Sequence, residues 1–169
     1  GGGIRSKLSE IQSIKSVCME NTLTLHLHGA RLFNDIVENE EDPKEYGQLF
    51  DSISVCLSKG LGAPVGSVLL GSQEFIHRAR RVRKVFGGGM RQGGYLAAAG
   101  IYALKNNINR LNLDHLRAKD IVAALLKKSF TGKMMPVETN IIIFEVTGNY
   151  TAKSLAEEFA KHEIAVMAI

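Results

Sequence analysis

Lys59 stands where an amine can do carbonyl chemistry. It follows the alternating apolar positions Ile53, Val55 and Leu57 and opens into the run Gly60-Leu61-Gly62-Ala63-Pro64-Val65-Gly66-Ser67. A buried strand that ends in a lysine and a glycine-rich turn delivers that side chain into a cavity. Partial desolvation there lowers an amine's pKa towards the free base. A free-base lysine attacks carbonyl carbons, and its usual product is a Schiff base. A lysine that merely caps a strand and stays solvated satisfies the same spacing. His26 and His28 form an H-x-H pair that alternation places on one strand face. The spacing offers no further ligands, so no metal site is expected.

Composition bounds the setting for this amine. The chain has 169 residues, 45% hydrophobic and 22% charged, which suits a soluble globular domain or one domain with part of another. No apolar run reaches the length that spans a bilayer, so no membrane partner is expected. The start, Gly1-Gly2-Gly3-Ile4-Arg5-Ser6, lacks the apolar core of a secretion signal, and a cytoplasmic location is expected. Cys18 and Cys56 both lie in apolar runs and read as buried free thiols.

The formal charge of +4 is concentrated at Arg78, Arg80, Arg81, Arg83 and Lys84. Phe75, Ala79, Val82 and Phe86 recur at helical spacing within that window and mark a buried stripe. The cations are then the outer face of an amphipathic helix, so no nucleic-acid partner is expected.

The elements around these residues read as α/β. Strands are expected at Val17–Glu20, Leu23–Leu27, Ser52–Leu57, Val65–Leu70, Asn140–Val146 and Glu163–Ala168. Helices are expected from Arg31, over Gln73–Phe86, over Tyr95–Leu104 and over Leu113–Lys128, with Leu116, Ile121, Ala124 and Leu125 of the last turned inward. The Tyr95–Leu104 helix is apolar nearly all round and is expected to be buried on most sides. An acidic loop covers Glu38 to Pro43, and Thr151 N-caps a helix running to Lys161. The alternation predicts a mostly parallel sheet with flanking helices. A boundary near Phe130–Pro136 divides the chain into residues 1–130, the larger domain, and 131–169, a small α+β portion. One junction does not fit: parallel strands ending at Glu20 and starting at Leu23 need a crossover of a dozen or more residues, which Asn21-Thr22 cannot supply.

Several motifs in order resemble one family. They are Met19-Glu20-Asn21-Thr22, His26-Leu27-His28-Gly29-Ala30-Arg31, the run from Leu57 to Ser67, Gly87-Gly88-Gly89-Met90-Arg91-Gln92 and Ala97-Ala98-Ala99-Gly100. Together they resemble low-specificity L-threonine aldolases, strongly from His26 to about Asn106 and more weakly elsewhere. The resemblance implies part of a fold type I, pyridoxal 5'-phosphate-dependent enzyme. Its activity would be aldol cleavage of a β-hydroxy-α-amino acid, L-threonine or L-allo-threonine, to glycine and acetaldehyde. It also implies a homo-oligomer, a dimer or tetramer.

On this resemblance Lys59 is the catalytic lysine that holds the cofactor. Gly60 and Gly62 let backbone approach its arm, and Pro64 fixes the turn. Arg31 sits beside the cofactor ring, and Arg91 lies near its phosphate, where a guanidinium fork suits the geometry. His28 occupies the position of an aspartate that pairs with the ring nitrogen in the family, and a neutral imidazole supplies no negative charge there. The resemblance further implies family segments outside the span before Gly1 and after Ile169, and a helix between Thr22 and Leu23. A second reading is a truncated, catalytically impaired relative that serves as a subunit or interaction module. A third is a β-eliminating lyase on the same fold, because lysine chemistry alone does not fix the bond broken.

Overall fold

The computed structural model describes residues 2–169; Gly1 lies outside them. Two compact units are present, one formed by Arg5–Leu113 and one by residues 2–4 with Asp114–Ile169.

The first unit begins with helix α1 (Leu8–Glu20), which carries the chain to strand β1 (His26–Gly29). Helices α2 (Leu32–Asn39) and α3 (Pro43–Leu49) follow, then strands β2 (Ser52–Cys56) and β3 (Ser67–Gly71). Helices α4 (Gln73–Val85) and α5 (Gly94–Asn106) complete it, and α6 (Leu111–Leu125) runs on into the second unit. Strand order is β1-β2-β3, with β1 and β2 parallel and β2 and β3 antiparallel. The sheet is therefore mixed rather than mostly parallel. The β2–β3 link is too short for a parallel crossover, so the chain must turn back on itself.

The awkward junction at Asn21-Thr22 disappears because Val17–Glu20 is the last turn of α1, not a strand. A short apolar run is ambiguous between the two states. Ile11 is buried and Leu8 packs beside the core, so a helical stripe settles it. The parallel pair is β1 with β2, and α2 and α3 supply the crossover between them. Helix α3 replaces the end of the expected acidic loop. Asp42 caps it by accepting from Lys44 N, with Pro43 in the first turn, where its missing N–H costs nothing.

Alternation in β2 drives the core. Ile53 and Val55, with Leu57 just beyond, turn to one face and pack with Ile11, Ile36, Tyr46, Leu61, Ala63, Ala103 and Leu111. Ser52, Ser54 and Cys56 turn to the other. Beneath the core lies a polar cluster: Tyr46 Oη donates to Glu41 Oε2 at 2.5 Å and lies 3.3 Å from Asp35 Oδ2. Asn39 Nδ2 reaches Asp35 Oδ1 at 3.2 Å and Glu41 Oε2 at 3.4 Å, while Arg5 donates to Asn39 Oδ1 at 2.8 Å. Burial raises the Asp35 pKa above the usual carboxylate range, against the lowering effect of the Ser6 backbone N–H. Burial and the Glu41 carboxylate likewise push the Tyr46 phenol upward.

Other expectations fail where apolar surface has no cover within the described residues. Val82 and Phe86 of the basic helix are exposed, Phe86 at 84%. Tyr95, at 92%, Ile101 and Tyr102 leave much of α5 open, and only Gly100 and Ala103 of that helix are buried. In α6 the inward residues are Leu111, His115 and Ala118, whereas Leu116 and Ile121 are exposed. The helix starts two residues earlier than its apolar pattern implies, and a four-three spacing from Leu111 sets the buried stripe. Both cysteines are half-buried free thiols rather than buried ones.

In the second unit, β4 (Thr131–Met134) pairs antiparallel with β5 (Phe144–Val146), and α7 (Ala152–Ala160) follows. Sequence reading passes over β4 because an irregular register between Thr131 and Met134 interrupts the alternation. Thr151 N-caps α7, as expected, and the Ser154 side chain returns the bond to the Thr151 backbone N–H. Phe130 meets Tyr150 and Phe159 edge to face. Residues 163–169 form no strand; Glu163 adopts a positive φ of 60° and no ladder partner lies beside them among the described residues. No helix among the described residues is long and apolar enough to cross a membrane.

Two stability outcomes follow. Tyr46→Phe removes the phenol proton that faces the Asp35 and Glu41 carboxylates and is expected to cost about 1–3 kcal/mol in denaturant unfolding. The Asp35 pKa is raised in the folded state, so ionising it opposes folding. The penalty is absent below its unfolded pKa and grows as pH rises through the folded value. The stability difference between wild type and Asp35→Asn is therefore expected to shift in favour of the variant as pH rises from the carboxylate range towards neutrality. Unfolding curves at several pH values check this.

Candidate functional site

The polar face of the three-stranded sheet is assembled by register. His28 of β1 pairs with Ser54 of β2, and Cys56 of β2 pairs with Ser67 of β3. These four residues, with Ala30, Ser58, Lys59 and Gly66, line a cavity of about 270 Å³. Strand alternation therefore has two products: the hydrophobic core on one side and a wall of serine, cysteine and histidine on the other.

Lys59 reaches this cavity because the chain turns sharply after β2. Gly62 N donates to Lys59 O at 2.9 Å, and Ala63 N donates to Leu57 O at 3.0 Å. Gly62 takes φ +72°, which a side chain tolerates poorly. Gly60 has no room for a Cβ, which would lie 2.9 Å from Leu111 Cδ2. Leu61 and Ala63 are buried and anchor the turn in the core. Two side chains from the α5–α6 connection tie down its carbonyls: Asn107 Nδ2 donates to Leu61 O at 2.7 Å, and Arg110 to Gly60 O at 3.0 Å.

The lysine is exposed rather than desolvated. Its Nζ lies 3.6 Å from Cys56 Sγ, which is also 3.7 Å from Ser58 Oγ. Burial works to raise the Cys56 pKa, but hydrogen bonds from the Ser58 hydroxyl and backbone, together with the Lys59 charge, bring the thiol below its usual value. Across the sheet, His28 Nδ1 lies 3.4 Å from Ser54 Oγ, and Ser54 Oγ donates to Leu27 O at 3.5 Å. His28 Nδ1 and Ser54 Oγ can share a hydrogen bond whose direction follows the imidazole tautomer. His26 makes the equivalent contact to Ser52 Oγ, at 2.8 Å.

Of the four residues singled out from sequence, Lys59 and His28 share this cavity. Arg31 follows the cavity residue Ala30 directly and stands at the N-cap of α2, half-buried, but does not line the cavity. Arg91 is exposed on the loop joining α4 to α5 and is also outside it. Sequence reading missed Ser54, Cys56, Ser58 and Ser67 as wall residues. The alternation of β2 contains the first two of them, since every position out of phase with Ile53 and Val55 must face the other way. The supporting roles of Asn107 and Arg110 leave no comparable trace.

Comparison with known proteins follows these residues. The family described as beta-eliminating lyase matches residues 1–149. A low specificity L-threonine aldolase of Escherichia coli K12 is 46% identical over 149 residues, covering 88% of this chain and 44% of that protein. Low-specificity L-threonine aldolase 1 of Arabidopsis thaliana is 38% identical over 169 residues, covering 98% of this chain and 47% of that protein. The chain thus spans somewhat under half the length of these relatives. A solved structure from Exiguobacterium, described as an aromatic amino acid beta-eliminating lyase/threonine aldolase, superposes with a TM-score of 0.83 at 27% identity, covering 96% of this chain and 46% of that one. The threonine aldolase of Leishmania major shares the fold at a TM-score of 0.71 and 22% identity, over 85% of this chain and 43% of that one. With the lysine turn intact and the match running through both sides of the cavity, the chain belongs to the beta-eliminating lyase family.

Proposed function

We propose that this chain carries the lysine-bearing part of a pyridoxal-phosphate-dependent lyase that cleaves L-threonine or L-allo-threonine to glycine and acetaldehyde. The observation that carries this reading is that Lys59, from the turn after β2, and His28, from β1, line one cavity. The relatives named as threonine aldolases favour carbon–carbon cleavage over β-elimination.

The donor set fits the cofactor in kind. A primary amine, an imidazole and three serine hydroxyls face one space. Lys59 Nζ would hold the cofactor covalently. His28 would accept a hydrogen bond from the ring nitrogen through Nε2, with Ser54 Oγ 3.4 Å from its Nδ1. Arg31, next to the wall residue Ala30, is assigned to the ring or the substrate carboxylate, and Arg91 to the phosphate side. When bound, pyridoxal phosphate supplies an electron sink for the pair left by Cα–Cβ cleavage. The exposed apolar surfaces of α4 and α5 support a homo-oligomer. Residues 1–130 are assigned to part of the cofactor-binding large domain and 131–169 to part of the small one, in a cytoplasmic protein.

A second reading is favoured by His28 itself. An imidazole cannot give the ring nitrogen the charge of a carboxylate, and loss of a close ion pair costs several kcal/mol. With about 1.36 kcal/mol per factor of ten in rate, turnover falls by orders of magnitude. The chain would then serve as an impaired subunit or interaction module.

Two measurements separate the readings. Addition of pyridoxal phosphate is expected to give a yellow protein with a visible absorption band, abolished in Lys59→Ala; a protein that stays colourless supports the impaired module. His28→Asp is expected to raise the rate of aldehyde release from threonine by at least about tenfold. Equal rates in the two proteins would show that imidazole suffices.

A further inference from the structure

The cavity holds a thiol beside the lysine amine, and the lysine chemistry proposed above leaves the thiol unused. Cys56 Sγ lies 3.6 Å from Lys59 Nζ and 3.7 Å from Ser58 Oγ, on a wall otherwise made of small or polar residues. Cys56 is fixed by the β2–β3 register opposite Ser67, whereas the lysine arm has rotatable bonds that let its nitrogen close the remaining distance. We propose that Cys56 and Lys59 form a two-nucleophile capture site for small aldehydes, closing a one-carbon N,S-bridge between the two side chains.

The ligand class follows from electron counting. A single carbon accepts both nitrogen and sulfur without oxidation only if it can give up two bonds to a leaving oxygen, and an aldehyde carbon does so. Lys59 Nζ attacks the carbonyl carbon, and the carbinolamine loses water with the carbonyl oxygen. The Cys56 thiolate then adds to the same carbon, and the nitrogen keeps one hydrogen. One amine, one thiol and one aldehyde give the bridge and one water. An ammonium–thiolate pair holds the same protons as amine and thiol, so the balance is unchanged. The Ser58 hydrogen bonds and the Lys59 charge beside the sulfur favour the thiolate. Holding both nucleophiles beside one carbon makes the second bond intramolecular, which favours the bridge over a simple adduct. The cavity, about 270 Å³, has ample room for an aldehyde of a few carbons. The proposal does not need the cofactor reading, although an aldehyde-releasing activity would supply the reactant at the site and make the bridge a product-driven brake.

The test treats the 169-residue chain with acetaldehyde and follows intact mass, peptide maps and free thiols, with Cys18 as internal reference. The expected adduct has the mass of the aldehyde less one water and joins the Cys56 and Lys59 peptides without a reducing agent. Cys56 is expected to disappear from thiol titration at an aldehyde concentration at least about tenfold below that needed for Cys18. Cys56→Ser is expected to leave a Lys59 adduct that survives only after borohydride reduction, and Lys59→Arg to leave Cys56 titratable. Wild type in which Cys56 stays as titratable as Cys18, with aldehyde found only on reducible lysine adducts, overturns the proposal. The Lys59-dependent visible band does not involve the thiol, so this proposal and the cofactor reading can fail separately.

Discussion

The site depends on a pinned turn. Residues 57–66 must leave the sheet after β2, aim Lys59 back at its polar face and return the chain to β3. Buried Leu61 and Ala63 hold the turn from below, and Asn107 and Arg110 hold its carbonyls from the α5–α6 connection. A lysine on a flexible loop would spend little time near His28 or Cys56. Here the backbone is fixed at both ends, and only the side-chain torsions remain free. That division suits the role proposed for Lys59: its base is rigid and its reach adjustable.

The same alternation that builds the core builds the reactive wall. Ile53, Val55 and Leu57 cannot turn inward without turning Ser54 and Cys56 outward. Parallel pairing then sets His28 opposite Ser54, and antiparallel pairing sets Ser67 opposite Cys56. A one-residue slip in either ladder would bury the polar set and expose the aliphatic one. Core packing therefore fixes the chemistry's geometry at one remove, and mutations that loosen Ile53 or Val55 act on the cavity without touching it.

Much of this was legible in the residues. Periods of two and 3.6 place β2, α4, α5 and α7 to within a few positions, and the glycine-rich turn after Lys59 is visible as composition. The cap at Thr151 is local chemistry and reads directly. What stayed hidden depends on distant partners. Val17–Glu20 resembles a strand until Leu8 and Ile11 meet the core. Apolar stripes on α4 and α5 promise burial that no element among the described residues supplies. Arg31 and Arg91 are identified by motif, yet motif does not say how far each stands from an amine. The desolvation expected of Lys59 also fails, because a strand end open on its polar face leaves the residue in contact with water.

The central claim is that this turn makes one lysine, among many on the surface, the amine that captures an aldehyde cofactor. Treatment with pyridoxal phosphate, borohydride reduction and peptide mapping tests it most directly. The account predicts that labelling at limiting cofactor concentrates on Lys59. Label spread evenly over exposed lysines such as Lys44, Lys119 and Lys153, with Lys59 no more modified than they are, would contradict it.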